Sequence, residues 1–195
     1  VVTKADLAEG DAERYAAIYR KAGFSVFVTS SLHNDGITAL KSYIGDGVKD
    51  GVTAAFAGAS GVGKSTLMNA LFPTLSLATS AISEKIGRGK HTTRHVELFS
   101  VGSTAHAGFL ADTPGFSLLD FEHFDFFSLD DLPDTFREFR PYRGRCRYAD
   151  CNHVGEGEDE CAIARAVKKG KISPSRLASY RALYTVLKNK NPYSR

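Results

Sequence analysis

The sequence has no tryptophan, a single methionine and only three cysteines, and nowhere does it carry a long apolar run. No stretch approaches the roughly 18 apolar residues that cross a bilayer as a helix, so a spanning helix is not expected. The opening "VVTKADLAEG" has neither a basic start nor an apolar segment, so it does not read as a secretory leader. Because it also starts without methionine, a piece that has lost an N-terminal part is expected. An odd number of cysteines excludes a fully paired disulfide framework. Cys146, Cys151 and Cys161 lie close together with His153 among them, which reads as a metal site. With no leader, a reducing cytoplasm is the expected compartment. Internal repeats and low-complexity tracts are absent too.

What is present suffices for a globular core, one domain or one domain with a small module. The net charge of +3 hides an asymmetry: residues 1–136 carry −5 and residues 137–195 carry +8. A basic tail on an acidic body points to a polyanionic partner, against the plainer reading of a solvated basic surface.

The pattern alternates helix and strand. "GDAERYAAIYRKAG" reads as a helix with Tyr15, Ile18 and Tyr19 along one face and Gly23 as its stop. "FSVFV" (24–28) is β-rich, the turn "TSSLHNDG" follows, and "ITALKSYI" is a short helix closed by Gly45. "VTAAFAG" is a buried-type strand, "KSTLMNALF" a helix, and "HVELFSV" and "HAGFLAD" are paired strands. This predicts an α/β fold around a mostly parallel sheet over residues 1–136. Residues 137–195 form a basic Cys/His segment with two helices, the second striped by Leu177, Tyr180, Leu183, Tyr184 and Leu187.

The strand "VTAAFAG" runs into "GASGVGKST", in which Gly58, Gly63, Lys64 and Ser65 match G-x-x-x-x-G-K-[ST]. Backbone N–H groups of Gly58, Ala59, Ser60, Gly61, Val62 and Gly63 would cradle phosphates at a helix N-terminus, Thr66 following. Lys64 would reach the β- and γ-phosphates and the Ser65 hydroxyl would ligate Mg²⁺. "DTPG" ends a later strand, with Asp112 placed to hold Mg²⁺ through water and the Gly115 N–H to sense the γ-phosphate. Residues 83–94 read as a mobile loop ending in "HTTR". Its Thr93, with Thr92 as alternate, would complete the Mg²⁺ shell when the γ-phosphate is present.

Downstream of this loop nothing reads a base. Upstream, "TKAD" (3–6) follows two valines: Asp6 would grip the N1–H and amine of guanine, and the Lys4 stem would lie over the ring, with Ala5 between them. Thr3 stands where Asn is commoner, and a weaker brace to the phosphate loop is expected. "TSS" (29–31) resembles a loop whose backbone N–H groups, at Ser30 and Ser31, meet the guanine carbonyl oxygen. The order base, base, phosphate, switch, switch is a circular permutation, and the expected ligand is GTP or GDP.

That order, with "GRGKHTTRHVEL", "DTPGFS" and the trailing Cys/His cluster, resembles the RsgA family, also called YjeQ or YloQ. "TKADL" looks like the YloQ branch. The resemblance implies a ribosome-dependent GTPase of small-subunit maturation, with an N-terminal OB-fold missing here, a permuted GTPase domain and a zinc-binding domain. It implies Zn²⁺ on Cys146, Cys151, His153 and Cys161; three thiolates and one imidazole suit a closed, structural, tetrahedral site. "VGEGEDE", between His153 and Cys161, is longer and more acidic than the family pattern. Small ribosomal subunits and their rRNA are the implied partners, with no membrane and a monomer as the default.

Phe116 follows "DTPG" where many GTPases carry a water-orienting Gln, so slow turnover stimulated by the subunit is expected. His91 is the candidate to orient the water, with an rRNA contact as its other reading. Chain order also leads the second switch (112–120) through an acidic, Phe-rich linker (120–136) into the zinc module. Two rivals are an ATPase of the same loop class and an RNA-binding zinc module with a regulatory, weakly hydrolytic nucleotide site.

Overall fold

A 3₁₀ turn at Ala5–Leu7 is followed by helices α1 (Asp11–Lys21) and α2 (Ile37–Val48), strand β1 (Thr53–Phe56), helix α3 (Lys64–Leu71), and strands β2 (Glu97–Val101) and β3 (Gly108–Asp112). Among the described residues, helices α4 (Leu132–Thr135), α5 (Ala162–Lys168) and α6 (Pro174–Lys188) follow, with 3₁₀ turns at Pro73–Leu75 and Arg137–Tyr142. The computed structural model describes residues 1–8, 10–48, 53–75, 97–101, 108–112 and 128–189. Its contacts divide into one unit of Val1–Glu13 with Phe27–Leu119 and another of Arg14–Val26 with Asp120–Arg195. No described helix is long and apolar enough to cross a membrane.

In the first unit the sheet order is β1-β3-β2. β1 and β3 run parallel in the register Thr53↔Phe109 to Phe56↔Asp112, whereas β2 is antiparallel to β3. The described sheet is therefore mixed rather than mostly parallel. "FSVFV" contributes only a parallel bridge between Val2 and Val28. β3 takes the middle, and its Leu110 is fully buried under α2 and α3. Those helices present Ile37, Leu40 and Ile44, and Leu67, Met68 and Leu71, which recur at helical spacing and close the core. Packing of this stripe carries α2 past the expected stop at Gly45 to Val48, offsetting the roughly 1 kcal/mol that a mid-helix glycine costs.

The second unit gathers Leu132, Phe136, Phe139, Cys161, Ile163, Ala166, Ile172, Leu177 and Tyr180 into one core. The expected stripe on α6 holds: Leu177 and Tyr180 are buried, and Leu183, Tyr184 and Leu187 pack against them. The expected face of α1 does not. Ala12 and Ala16 are its buried residues, while Tyr15 and Tyr19 stay exposed. Tyr19 has a different task, because its ring and that of Phe136 lie 5.5 and 4.7 Å from the Arg176 guanidinium. Arg176 Nε also donates to buried Glu138 at 2.5 Å, so the cation is paired and stacked at once.

Candidate functional site

The phosphate loop leaves the C-terminal end of β1 and enters α3, as its sequence requires. Gly61 and Gly63 adopt φ of 77° and 95°, backbone that side chains oppose, which lets successive N–H groups turn toward one point. The Gly63 carbonyl accepts the first helical bond from Leu67 N–H, so the N-terminus of α3 faces the loop. Lys64 folds back over that loop, its Nζ donating to the carbonyls of Gly58 (2.9 Å) and Ala59 (3.1 Å). Ser65 and Thr66 lie in the first turn of α3. Asp112 ends β3 in register with Phe56 at the end of β1, so it stands at the sheet edge from which the loop departs.

The upstream motif meets this loop directly. Thr3 Oγ1 donates to the Val62 carbonyl at 2.7 Å, and Lys4 Nζ to the Gly61 carbonyl at 2.8 Å. Thr3 thus braces the phosphate loop through a single hydroxyl bond. Lys4 itself has left-handed backbone, with φ of 56°, and Ala5 N–H is tied to Thr29 O. Asp6 Oδ1 accepts from the buried Ser30 hydroxyl at 2.6 Å, and this bond is the main cause holding its carboxyl below its ordinary value. Paired backbone bonds between Ser30 and Asp35 close the turn that carries Ser31. The turn ends at Gly36, where a Cβ would stand 2.1 Å from the Val28 carbonyl.

Thr3, Lys4, Asp6, Ser31, Gly63 and Thr66 line one cleft of about 210 Å³, with room for a heteroaromatic base. Residues 57 and more apart in sequence thus converge beside the phosphate loop. Leu7 and Leu32 also line it while being 73% and 78% exposed, and sequence reasoning missed both. The available signal was the apolar residue that directly follows each base-reading motif. His91, Thr92, Thr93, Gly115 and Phe116 lie outside the described residues.

In the second unit the ligand atoms of Cys146, Cys151, His153 and Cys161 all lie within 4.8 Å of one another. His153 Nδ1 stands 3.6, 3.4 and 3.5 Å from the sulfurs of Cys146, Cys151 and Cys161. For bonds of about 2.3 Å to sulfur and 2.0–2.1 Å to nitrogen, a tetrahedron sets this edge at about 3.6 Å, so the cluster fits zinc. Burial pushes the Cys151 thiol up to about 12, raises Cys161 and pulls His153 down. Such a pocket opposes bare thiolates but offers a neutral imidazole, and a divalent cation reconciles the two. Ala162 N–H donates to Cys146 Sγ at 3.3 Å. Cys161 caps α5, accepting from Ala164 N–H at 3.4 Å.

His153 has φ of 61°, left-handed and unusual for a side chain of its size. Two groups hold it there. Tyr180 donates its hydroxyl to the Asn152 carbonyl at 2.9 Å. Glu156 accepts from the N–H groups of Asn152, Val154 and Gly155 at 3.2, 3.0 and 3.2 Å. The acidic stretch "VGEGEDE" thus clamps the turn that presents the histidine. Glu156→Gln is expected to lower metal affinity about tenfold, the cost typical of removing an outer partner. Competition with a chromophoric chelator measures it, and unchanged affinity would remove Glu156 from the site.

Comparison with known proteins places these features in one lineage. The family model described as RsgA GTPase matches residues 1–122. "Small ribosomal subunit biogenesis GTPase RsgA" of Geobacillus thermodenitrificans is 41% identical over 98% of this chain and 62% of its own length. The protein of the same name from Bacillus velezensis is 40% identical with the same coverage. Among solved structures, YjeQ from Thermotoga maritima is 30% identical with a TM-score of 0.67, covering 97% of this chain and 59% of that one. YloQ, described as a circularly permuted GTPase, is 33% identical with a TM-score of 0.66, covering 97% and 56%. The chain therefore spans 62% of the length of these curated relatives. On the family match and on these identities, the chain belongs to the RsgA GTPase family.

Proposed function

We propose that the chain binds and hydrolyses GTP, and that turnover is stimulated by the small ribosomal subunit during its maturation. The observation that carries this reading is the single cleft shared by the phosphate loop and the upstream carboxylate of Asp6. Residues 1–136 act as a circularly permuted GTPase domain and residues 137–195 as a zinc-binding domain, working as a monomer in the cytoplasm.

Asp6 receives the guanine edge, Lys4 covers the ring, and Ser30 and Ser31 close the base side. On triphosphate binding, Lys64 exchanges its loop carbonyls for the β- and γ-phosphates, which its flexible stem permits. Ser65 at the start of α3 and Asp112 at the adjoining strand end supply the oxygen ligands that suit Mg²⁺, with Thr93 joining them in the triphosphate state. Bound there, Mg²⁺ neutralises charge on the transferred phosphoryl group. Cys146, Cys151, His153 and Cys161 hold a structural Zn²⁺. The sequence contains no glutamine, so no residue of that type in the chain can orient water. His91 is assigned that role.

The test is single-turnover GTP hydrolysis with and without small ribosomal subunits, and with ATP as control. Stimulation well beyond tenfold for GTP alone is expected, in keeping with the 10³–10⁵ that partner-supplied groups give other GTPases. Full stimulation in a His91→Ala chain would end that residue's catalytic assignment. Absence of stimulation, with GTP still bound, would make the protein an RNA-binding module that carries a regulatory nucleotide.

A further inference from the structure

A second cleft, sharing no residue with the first, lies against the metal cluster and encloses about 440 Å³. Its walls carry aromatic faces. Tyr148 is 46% exposed, and the half-buried Tyr184 packs on Tyr180 with ring centroids 6.3 Å apart. The Arg147 guanidinium lies 5.5 Å from the centre of the Tyr148 ring. Asp130 and Asp150, both acceptors when ionised, line it beside Asn152. Arg143 also lines the cleft, but it is ion-paired to Asp134. The run "REFRPYRGRCR" holds five arginines between residues 137 and 147, Arg143 among them, in a segment of net charge +8.

These features sort a ligand into two parts. The basic segment, with Arg147 against the Tyr148 ring, attracts phosphates, whereas Asp130 and Asp150 would repel any anion that entered. What enters must be neutral, flat and edged with hydrogen-bond donors, and what stays outside must be polyanionic. An acidic peptide fails the first condition, since its charges sit on the very groups that would fill the cleft. A nucleobase on a phosphate backbone meets both. Bases in a duplex are stacked and paired, so an aromatic-walled cleft reaches only those of a single strand.

We propose that this cleft takes one unstacked base of single-stranded RNA, stacked on Tyr148, with the base edge read by Asp130 and Asp150. Guanine, with N1–H and an amine on one edge, suits a carboxylate acceptor better than uracil, which has one donor. Cys146, Cys151 and His153 line the same cleft, so its shape depends on the metal cluster. The proposal rests on the rRNA partnership above and adds to it the mode and the nucleotide.

Fluorescence anisotropy of labelled RNA hexamers against the metal-loaded chain tests this: an alternating guanine–adenine strand, hexauridylate, and a duplex of the same length. Tyr148→Ala is expected to weaken the purine strand about tenfold while Tyr148→Phe stays within about twofold, since stacking needs the ring and not the hydroxyl. Asp150→Asn should erode the preference for purine over uridine. The slope of log affinity against log salt should hold in every variant, because no phosphate contact has changed. Metal content, measured alongside, confirms that each variant is folded. Equal binding of duplex and single strand, or parental affinity in both Tyr148→Ala and Tyr184→Ala, would overturn the proposal. The assay uses neither nucleotide nor ribosomal subunit. Its failure therefore leaves GTP hydrolysis standing, and unstimulated hydrolysis leaves the cleft standing.

Discussion

With Zn²⁺ held by Cys146, Cys151, His153 and Cys161 as proposed, its removal is expected to unfold the segment 128–189, not merely to loosen it. The four ligands come from three places: the loop after Tyr142, the left-handed turn at His153, and the cap of α5. Cys161 is itself a core residue, 1% exposed, packed with Phe139, Ile163 and Tyr180. Take away the ion and three sulfurs and an imidazole are left in an apolar cluster with nothing to offset their burial. Structural zinc in small modules contributes on the order of 10 kcal/mol, while whole domains are stable by only about 5–15 kcal/mol. An effect of that size decides whether the module folds at all.

The readout is favourable because the chain has no tryptophan. Near-ultraviolet circular dichroism then reports tyrosine, above all Tyr180, whose ring sits 5.3 Å from Phe136 and 5.1 Å from Phe139. Chelation should abolish that signal and open the amides of α5 and α6 to hydrogen exchange. Cys161→Ser should do the same without a chelator. If exchange in α6 stayed slow after metal removal, the site would be an accessory to a core that folds by itself.

Much of the architecture could be read from residues because it rests on short-range rules. The strand–loop–helix around "GASGVGKST" is local, and so are the stripe on α6 and the spacing of the ligands. The readings that went astray depended on partners far along the chain. The partner of Thr3 could not be read locally, since the Val62 carbonyl it reaches at 2.7 Å lies 59 positions away. Gly45 looked like a stop because its own propensity says so, yet Ile44 beside it is buried against α3 and the core prevails. Tyr19 looked like a packing residue and is instead one face of a cation sandwich around Arg176. Glu156 belonged to a stretch noted only for its length and acidity. Its three N–H partners follow from the left-handed turn at His153, a backbone state that sequence does not display.

Asp6→Asn carries the second large effect and bears directly on which nucleotide is bound. A carboxylate offers two acceptors to the N1–H and amine of guanine, and hydrogen bonds to charged groups are worth about 1.5–3 kcal/mol each. An amide keeps one acceptor but turns an NH₂ toward the guanine amine, donor against donor. Losing both bonds should weaken GDP and GTP by roughly 10²–10⁴-fold, since 1.4 kcal/mol is a factor of ten. Xanthosine diphosphate should gain instead, because its ring carries an oxygen where guanine has the amine, and that oxygen accepts from the new amide. ATP, which lacks the donor edge, should bind poorly before and after. The Ser30 hydroxyl tunes the same group by holding the Asp6 carboxyl below its ordinary value. A lowered pKa keeps the charge in place as pH falls, so GDP affinity should be lost at a lower pH than an ordinary aspartate would set. In Ser30→Ala that loss should move to higher pH. Titration with a fluorescent nucleotide measures each of these. An Asp6→Asn chain that bound GDP as tightly as before, or lost GDP without gaining the xanthine nucleotide, would show that the base is read by other residues.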